Sequence, residues 1–248
     1  MIRDVDPTFH DFEREVEEWH WWSCGRRHIL AALVGEARVP PGARLLDVGC
    51  GTGGNSVALA PFGRVVGVDR AVGALTRSAD RPLAARVQAE ATRLPFGEGS
   101  FDVVVALDVL EHLDDDVAGA LEMRRVLRPG GLLVVFVPAL DILWSYNDDY
   151  SHHRRRYTRA QLAAALRGAR LEVERLTYFN SLLFLPILGA RLLERLVRTG
   201  RRYEHETAVP GRANDLAGAL FGVEAPWLRR HGFPIGVSLA ALARRARA

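Results

Sequence analysis

The sequence contains no lysine, and all 33 of its basic residues are arginines. A chain without lysine has neither a Schiff-base lysine nor the lysine of a phosphate-binding P-loop, which excludes two large classes of site. The 30 acidic residues leave a net charge of only +3. Because this balance does not indicate a broad basic face, we expect no nucleic-acid partner.

Cysteine is also scarce, and the two cysteines, Cys24 and Cys50, do not form a CxxC pair. The sequence therefore predicts neither a disulfide framework nor a structural zinc site. Residues 1–20 are acidic and polar, unlike a signal peptide, which favours a cytoplasmic location. The longest apolar run, residues 178–196, is too short and too often interrupted to cross a bilayer.

The sequence does contain a regular alternation of apolar strands and helical segments. Strands are predicted at 44–48, 64–69, 84–88, 101–107, 132–139, 170–179 and 236–245. Helical spacing covers 9–37, 53–61, 71–78, 115–127 and 158–168, and a turn is predicted at 128–131. Strands rich in Val and Leu that alternate with helices indicate a parallel sheet covered on both faces. The predicted fold is therefore Rossmann-like: a doubly wound α/β domain with a mostly parallel, seven-stranded sheet.

A single domain over residues 1–248 accommodates this pattern, since 48% apolar residues suffice for its core. We divide it into an N-terminal helical cap, a core, a C-terminal insertion and a last strand, at 1–38, 39–180, 181–233 and 234–248. The polar part of the insertion, 198–215, is predicted to be a mobile loop. Its apolar part predicts a helix packed on the sheet, or else a contact surface for a lipid-like substrate, a membrane or a second subunit.

The segment "LLDVGCGTGG" places Asp47, Gly49 and Gly51 where a strand turns into a helix. Glycines let the backbone turn tightly and approach a ligand, and the following helix offers free N–H groups. The pattern also satisfies GxGxxG, and Asp69 ends the next strand, so a nicotinamide-dependent oxidoreductase is one alternative. Asp47 argues against it, because a carboxylate there repels a pyrophosphate but attracts a cofactor with an ammonium and a sulfonium group.

Further motifs follow this turn along the chain: "AEATRLPF", "FDVVVALDVLEHL" and "LRPGG". Together with DxGCGxG they make residues 42–139 resemble the class I S-adenosylmethionine-dependent methyltransferases, in the methyltransferase-11-like branch that acts on small molecules. The resemblance implies an enzyme that uses S-adenosyl-L-methionine to methylate a small-molecule acceptor, with O-methylation slightly favoured. Sugars, lipid-linked compounds and secondary metabolites are the implied acceptor classes. A binding module for the cofactor without turnover remains a second alternative.

The resemblance also implies which residues hold the cofactor. Asp47, Gly49 and Gly51 would hold its methionine end, and Asp69 would accept both ribose hydroxyls. The other implied cofactor contacts are Arg70, Glu90 and Ala91 towards the nucleoside and Asp108 near the transferred methyl group. Structural alternatives exist for three of the acids: a helix cap at Asp69, a surface charge at Glu90 and a turn residue at Asp108.

The segment "LWSYNDDYSHHRRRYT" follows the fifth strand, so it lies at the carboxyl edge of the sheet, above the methyl group. With "WWSCGRR" near the N-terminus it resembles a subgroup of these methyltransferases, in which a glycine is usual at the position of His152. A neutral His153, oriented by Asp148, would then take a proton from the acceptor. His112 is a further candidate for contact with the acceptor. The implied acceptor-binding residues are Trp144, Arg155, Arg156 and Tyr157.

Other roles remain open for this segment. His153 would alternatively fix the loop by a hydrogen bond, and the arginines would pair with nearby acids. A metal site would need Asp148, Asp149, His152 and His153, but their spacing matches no ligand signature, so no metal is predicted. The N-terminal aromatic and arginine residues either cover the cofactor or pack in the core; these are Trp21, Trp22, Arg26 and Arg27.

Overall fold

The computed structural model describes residues 7–197 and 211–247. Seven strands form one sheet: β1 (Ala43–Val48), β2 (Gly63–Asp69), β3 (Ala85–Gln88), β4 (Phe101–Leu107), β5 (Leu127–Pro138), β6 (Leu171–Phe179) and β7 (Ser238–Arg245). Their order is β3-β2-β1-β4-β5-β7-β6. Only β7 runs antiparallel to its neighbours, and it lies between β5 and β6. The predicted doubly wound, mostly parallel sheet is confirmed.

The helices are α1 (Pro7–Trp19), α2 (Trp21–Glu36), α3 (Ser56–Leu59), α4 (Val72–Arg77), α5 (Asp116–Val126), α6 (Tyr146–Tyr150), α7 (Arg159–Gly168), α8 (Phe184–Val197) and α9 (Gly211–Leu228). Short 3₁₀ turns cover Ala60–Phe62, Leu110–His112 and Asp141–Leu143. The capping box predicted for α7 is present, since Thr158 and Gln161 exchange side-chain and backbone hydrogen bonds.

Three local predictions need correction. The helical segment predicted over 9–37 is two helices that meet at His20. The turn predicted at 128–131 is an irregular part of β5, where the register with β4 shifts and Gly130 has a φ of +76°. The loop predicted over 198–215 is wrong for residues 211–215, which begin α9, whereas 198–210 lie outside the described residues.

Apolar side chains cover both faces of the sheet. On one face α5 and α7 pack through residues such as Met123 and Leu166. On the other face α2 and α9 pack through residues such as Leu33 and Phe221. Because the central strands β1, β4 and β5 are buried on both sides, their polar ends are left to form a site at the edge of the sheet.

Helix α8 does not follow the prediction of a helix packed on the sheet. Its main contacts are with the turn Asp141–Leu143. Three of its leucines remain in solvent: Leu185, Leu192 and Leu193, with Leu185 74% and Leu193 60% exposed. No helix within the described residues is both long and apolar enough to traverse a bilayer.

Close packing of α2 against α9 gives a stability prediction. A Cβ on Gly25 would lie 2.1 Å from Cδ1 of the buried Phe221 ring, so Gly25→Ala should lower the free energy of unfolding by about 1–3 kcal/mol. Gly35, in the same helix, is the matched control, because a Cβ there meets nothing closer than 3.6 Å. Gly35→Ala should stabilise the helix by up to about 1 kcal/mol. Urea denaturation measures both changes, and equal effects would contradict the packing described.

Candidate active site

The carboxyl ends of β1, β2 and β4 bring three acids to one edge of the sheet. Asp47 lies in β1, Asp69 ends β2 and Asp108 follows β4. The turn after β1 comes close to its neighbours, because a Cβ on Gly49 would lie 2.6 Å from Val109, and its φ is +70°. At Gly51 the φ is +53° and the space where a Cβ would point is open. Gly49 therefore permits close packing against Val109, and Gly51 leaves room for a ligand at this edge.

Asp47 is fully buried, and both of its carboxylate oxygens lack a hydrogen-bond partner within the described chain. Burial raises the pKa of Asp47 to about 7; the positive charge of Arg26 opposes this shift, and Glu17 and Asp69 add to it. A buried carboxylate without donors is costly unless a ligand supplies them. The α-ammonium group of S-adenosylmethionine supplies such donors, so the site fits the methionine end of that cofactor.

Asp69 is held by two backbone amides. The amide of Gly51 donates to Oδ2 and the amide of Ala71 donates to Oδ1, both at 2.8 Å. Ala71 is the residue directly before α4, so Asp69 also provides a hydrogen-bond acceptor for a backbone amide at the start of that helix. Each carboxylate oxygen has a second lone pair, so these bonds orient the group and still leave acceptors for a ribose diol.

The predicted nucleoside contacts lie farther out along the same edge. Arg70 and Glu90 are exposed, and Ala91 is half-buried against the apolar core. Gln88 donates to the backbone carbonyl of Arg70 at 3.1 Å. These positions leave the side chains of Arg70 and Glu90 accessible to a ligand, and their roles stay predictions.

The N-terminal helices cover this edge. Thr52 in the glycine-rich turn donates to Glu17 of α1 at 2.5 Å, and Arg81 forms an ion pair with the same carboxylate at 3.3 Å. Arg26 of α2 pairs with Asp108, whereas its Nε is buried without a partner among the described residues. Arg26 therefore keeps one donor for a ligand carboxylate.

The tryptophans of α2 belong to the core. Trp22 stacks on Phe179 and Phe221 with ring centroids 6.2 and 5.5 Å apart, and Trp21 also contacts Phe221. Arg27 donates to the backbone carbonyl of Glu17 at 2.7 Å. Of the two roles that the sequence left open for the tryptophans, core packing is the one these contacts support.

The loop after β5 is organised by Asp148, whose side chain is only 1% exposed. Its oxygens accept from Arg156 at 2.9 and 3.0 Å and from the amide of Ser145 at 2.8 Å. Nδ1 of His153 lies 2.9 Å from Oδ1 of Asp148. Burial opposes ionisation of Asp148, but the bonds from His153 and Arg156 outweigh it and hold the pKa of Asp148 well below its usual value. The ionised carboxylate therefore fixes the His153 ring.

This loop lies against the turn that follows Asp108. The amide of Arg154 donates to the carbonyl of Glu111 at 2.8 Å, and the His112 and His153 ring centroids are 4.7 Å apart at an interplanar angle of 80°. Partial burial and the neighbouring His153 lower the pKa of His112 to about 4, so this imidazole is neutral near pH 7. The two histidines thus share the edge of the sheet with Asp108.

The predicted acceptor-binding residues are engaged by other parts of the protein. The indole of Trp144 donates to Asp149 at 3.0 Å. Asp116, at the start of α5, accepts from the buried hydroxyl of Tyr157 at 2.7 Å and pairs with Arg155 at 3.3 Å. These contacts support the alternative in which the arginines of this segment pair with nearby acids, and the acceptor-binding roles of Tyr157 and Arg155 stay predictions.

The metal quartet considered from the sequence does not form a ligand cluster within the described residues. The carboxylate of Asp148 is hydrogen-bonded to Arg156 and His153, and that of Asp149 accepts a hydrogen bond from Trp144. These oxygens are therefore already engaged by other side chains. The sequence assigned no role to Glu111 of the "LEH" motif, whose carboxylate is fully buried without a hydrogen-bond partner in the described chain. Burial, together with the nearby Asp108, raises the pKa of Glu111 well above its usual value.

The environment of Asp47 predicts pH-dependent binding of S-adenosylhomocysteine, the product form of the cofactor. Because the pKa of Asp47 is raised to about 7, the carboxylate is ionised above this pH and protonated below it. Only the ionised form attracts an ammonium group, so affinity should rise with pH through about 7 and fall by up to about tenfold per unit below it. Calorimetry from pH 5.5 to 8.5 measures this, and Asp47→Asn should bind more weakly and lose the step. A flat profile in the unsubstituted protein would contradict the assignment.

The central region of the chain is similar in sequence to known methyltransferases. Residues 46–135 match the family model described as a methyltransferase domain. A demethylmenaquinone methyltransferase of Beutenbergia cavernae is 47% identical over 137 residues, which are 54% of this chain and 55% of that protein. A 2-methyl-6-phytyl-1,4-hydroquinone methyltransferase of Synechocystis is 37% identical over 128 residues, 49% of this chain and 38% of that protein. The chain spans about half the length of most of the curated relatives it matches.

Solved structures share the fold at low identity. A SAM-dependent methyltransferase of Thermotoga maritima superposes with a TM-score of 0.59 at 18% identity, covering 96% of this chain and 97% of that one. Phosphoethanolamine N-methyltransferase 2 of Haemonchus contortus, in complex with S-adenosyl-L-methionine, gives 0.56 at 19% identity, covering 88% of this chain and 52% of that one. This protein therefore has the Rossmann-like fold of solved methyltransferases, and its residues 46–135 match a methyltransferase domain.

Proposed function

We propose that the protein is an enzyme that transfers the methyl group of S-adenosyl-L-methionine to a small-molecule acceptor. The observation that carries this proposal is Asp47, a fully buried carboxylate without a hydrogen-bond donor in the described chain, in the strand that leads into a glycine-rich turn with open space at Gly51. A cofactor with an ammonium group fits that carboxylate, whereas a pyrophosphate does not. The match of residues 46–135 to a methyltransferase domain supports the same function.

In this proposal each part of the cofactor contacts a defined set of residues at the carboxyl edge of the sheet. Asp47 and the turn at Gly49 and Gly51 hold the methionine end, and Arg26 offers its free Nε to the carboxylate. Asp69, oriented by two backbone amides, accepts the ribose hydroxyls. The remaining contacts are those expected of Arg70, Glu90 and Ala91 towards the nucleoside and of Asp108 towards the sulfonium.

We assign activation of the acceptor to the loop after β5. Asp148 holds Nδ1 of His153, so the other ring nitrogen is left to meet an acceptor hydroxyl and take its proton as the oxygen attacks the methyl carbon. Neutral His112 borders the same space. Methyl transfer otherwise needs in-line positioning of the two reactants in a water-poor pocket. Trp144, Arg155, Arg156 and Tyr157 would shape this wall, and the proposed reaction is O-methylation.

The acceptor is proposed to be a hydroquinone-type aromatic compound with an apolar substituent, since the hydroquinone carries the hydroxyl that O-methylation requires. The curated relatives are named for demethylmenaquinone and for a phytyl hydroquinone. Exposed apolar side chains lie on α8 and on the turn that it contacts, such as Leu185, Leu193 and Ile142. They would pack against the apolar substituent of the acceptor beside the loop after β5. Membrane-surface contact, a homodimer, a cytoplasmic location and the single-domain division at 1–38, 39–180, 181–233 and 234–248 stay predictions.

The test combines binding with turnover. Calorimetry should detect S-adenosylhomocysteine and give no heat with NAD. Incubation with S-adenosylmethionine carrying a labelled methyl group and a panel of hydroquinones and catechols should yield labelled ether products and S-adenosylhomocysteine. Binding without turnover of any acceptor would favour the non-catalytic module, and binding of NAD alone would favour the oxidoreductase.

A further inference from the structure

Three potential metal ligands converge beside the proposed acceptor position: Glu111, His112 and His153. One carboxylate oxygen of Glu111 and one ring nitrogen of each histidine lie within 4.8 Å of one another. We propose that these three side chains form a binding site for a divalent transition-metal ion such as Zn²⁺. Two histidines and one carboxylate are a ligand set that holds such ions and leaves coordination positions open for a substrate.

Glu111 gives the first independent reason for a cation here. Its side chain is 0% exposed, and neither carboxylate oxygen has a hydrogen-bond partner among the described residues. An unpaired buried carboxylate costs several kcal/mol unless a positive group or a set of donors reaches it. Arg156, one of the nearby positive groups, directs its hydrogen bonds to Asp148 and to the carbonyl of Ala139. A metal ion would supply the missing partner.

His153 gives the second reason. Its Nδ1 is 2.9 Å from Asp148, a carboxylate that Arg156 and Ser145 hold in place. Donation from Nδ1 leaves Nε2 with the lone pair that coordinates a metal. Metal-binding histidines commonly donate their second nitrogen to a carboxylate in this way, which fixes the tautomer and the direction of the ring.

Coordination of one ion requires the three ligand atoms to move somewhat closer together. Ligand atoms about 2.0–2.2 Å from a tetrahedral ion are about 3.5 Å apart, so the widest separation in the cluster must close by on the order of 1 Å. His112 is the exposed member of the cluster, so its ring has room to turn towards the other two ligands. Mixed imidazole and carboxylate ligands suit Zn²⁺, Fe²⁺, Co²⁺ or Mn²⁺ better than Mg²⁺ or Ca²⁺, which prefer oxygen alone.

The consequence for the reaction rests on the proposed function. A hydroxyl oxygen of the acceptor on the ion would lose its proton to solvent more readily. That oxygen would form the bond to the methyl carbon as the carbon–sulfur bond breaks, leaving S-adenosylhomocysteine and the methyl ether without any change in oxidation state. With the ion bound, His153 acts as a ligand, and direct proton removal by its imidazole is the alternative for the metal-free protein.

The experiment uses the full chain, freed of metal by dialysis against EDTA. Calorimetric titration with Zn²⁺ and the visible absorption of added Co²⁺ should each report one ion per chain. Glu111→Gln, His112→Ala and His153→Ala should each weaken Zn²⁺ binding by at least about tenfold. His152→Ala is the matched control, since His152 is an exposed neighbouring histidine outside the cluster, and it should bind Zn²⁺ like the unsubstituted protein.

Binding of S-adenosylhomocysteine by each variant serves as the check on folding, because the cofactor residues are separate from the cluster. Absence of stoichiometric Zn²⁺ and Co²⁺ binding to the unsubstituted chain would overturn the proposal. The proposal would also be overturned if Glu111→Gln and His153→Ala still bind S-adenosylhomocysteine and bind Zn²⁺ with the same affinity as the unsubstituted protein. Failure to bind S-adenosylhomocysteine together with intact Zn²⁺ binding would instead reject the proposed methyl transfer and leave the metal site standing.

Discussion

His153→Ala is expected to lower kcat by about 10²- to 10⁴-fold, the usual size of general-base assistance. The substitution removes the one imidazole that Asp148 holds towards the acceptor side of the loop. Affinity for S-adenosylhomocysteine should stay nearly unchanged, because Asp47 and Asp69 lie at other strand ends. Steady-state kinetics with labelled S-adenosylmethionine, with calorimetry of the same preparation, measures both quantities.

His152→Gly is the control for that experiment. His152 is exposed and has a φ of +56°, a backbone conformation that glycine adopts with the least strain. The variant should therefore fold at least as well as the unsubstituted protein and retain its activity. Full activity of His153→Ala would contradict the role of His153 as a base and leave it as a residue that fixes the loop by its hydrogen bond. A chelator adds a second distinction: loss of turnover with EDTA indicates a metal-bound acceptor, and unchanged turnover indicates proton removal by the free imidazole.

Asp69→Ala is expected to weaken binding of S-adenosylhomocysteine by at least about tenfold. Hydrogen bonds to a charged group contribute about 1.5–3 kcal/mol each, and this carboxylate would lose two to the ribose. The substitution also frees the amides of Gly51 and Ala71, which loosens the glycine-rich turn and adds to the loss. Calorimetry at pH 8, where Asp47 is ionised, isolates the contribution of Asp69.

Asp102→Ala provides a matched control at the opposite end of the sheet. Asp102 also accepts from a backbone amide, that of Arg44 at 2.7 Å, and pairs with Arg128, but it lies near the start of β4. Its loss should lower the denaturation midpoint and leave cofactor affinity as it was. Equal affinity of the Asp69→Ala and unsubstituted proteins for S-adenosylhomocysteine would rule out the ribose contact and, with it, the placement of the cofactor.

The central strands were predictable because each carries a short apolar run that burial on both faces demands. The strand predicted at 101–107, for example, is found at Phe101–Leu107. The acids at or near the carboxyl ends of these strands were equally visible, since a charged residue there is placed towards the edge of the sheet. Local pattern was therefore enough to place Asp47, Asp69 and Asp108.

The start of α9 was not predictable from local pattern. Asn214 looks like a loop residue, yet its side chain is buried and bridges the break between α1 and α2. Its Oδ1 accepts from the amide of Trp21 at 2.9 Å, and its Nδ2 donates to the carbonyl of Trp19 at 3.1 Å. These partners are almost 200 positions away in the chain, so nothing near Asn214 signals either the helix or the break at His20.

The same limit applies to the site. Glu111 follows an apolar strand and precedes a histidine, a context in which a surface carboxylate is the ordinary expectation. Its burial depends on the loop after β5, whose Arg154 binds the carbonyl of Glu111, and on Arg26 of α2, which pairs with Asp108. Contacts of this kind join segments 40 to 80 residues apart, and only the folded chain reveals them.

The position of β7 has a consequence for the order in which the protein folds during synthesis. The strands β1 to β5 pair with one another, so that part of the sheet can assemble as soon as they have left the ribosome. β6 reaches the sheet only through β7, which is made more than 55 residues later. Until then the edges of β5 and β6 that pair with β7 are both unpaired, and this is the interval in which a nascent chain is most open to aggregation or to chaperone binding.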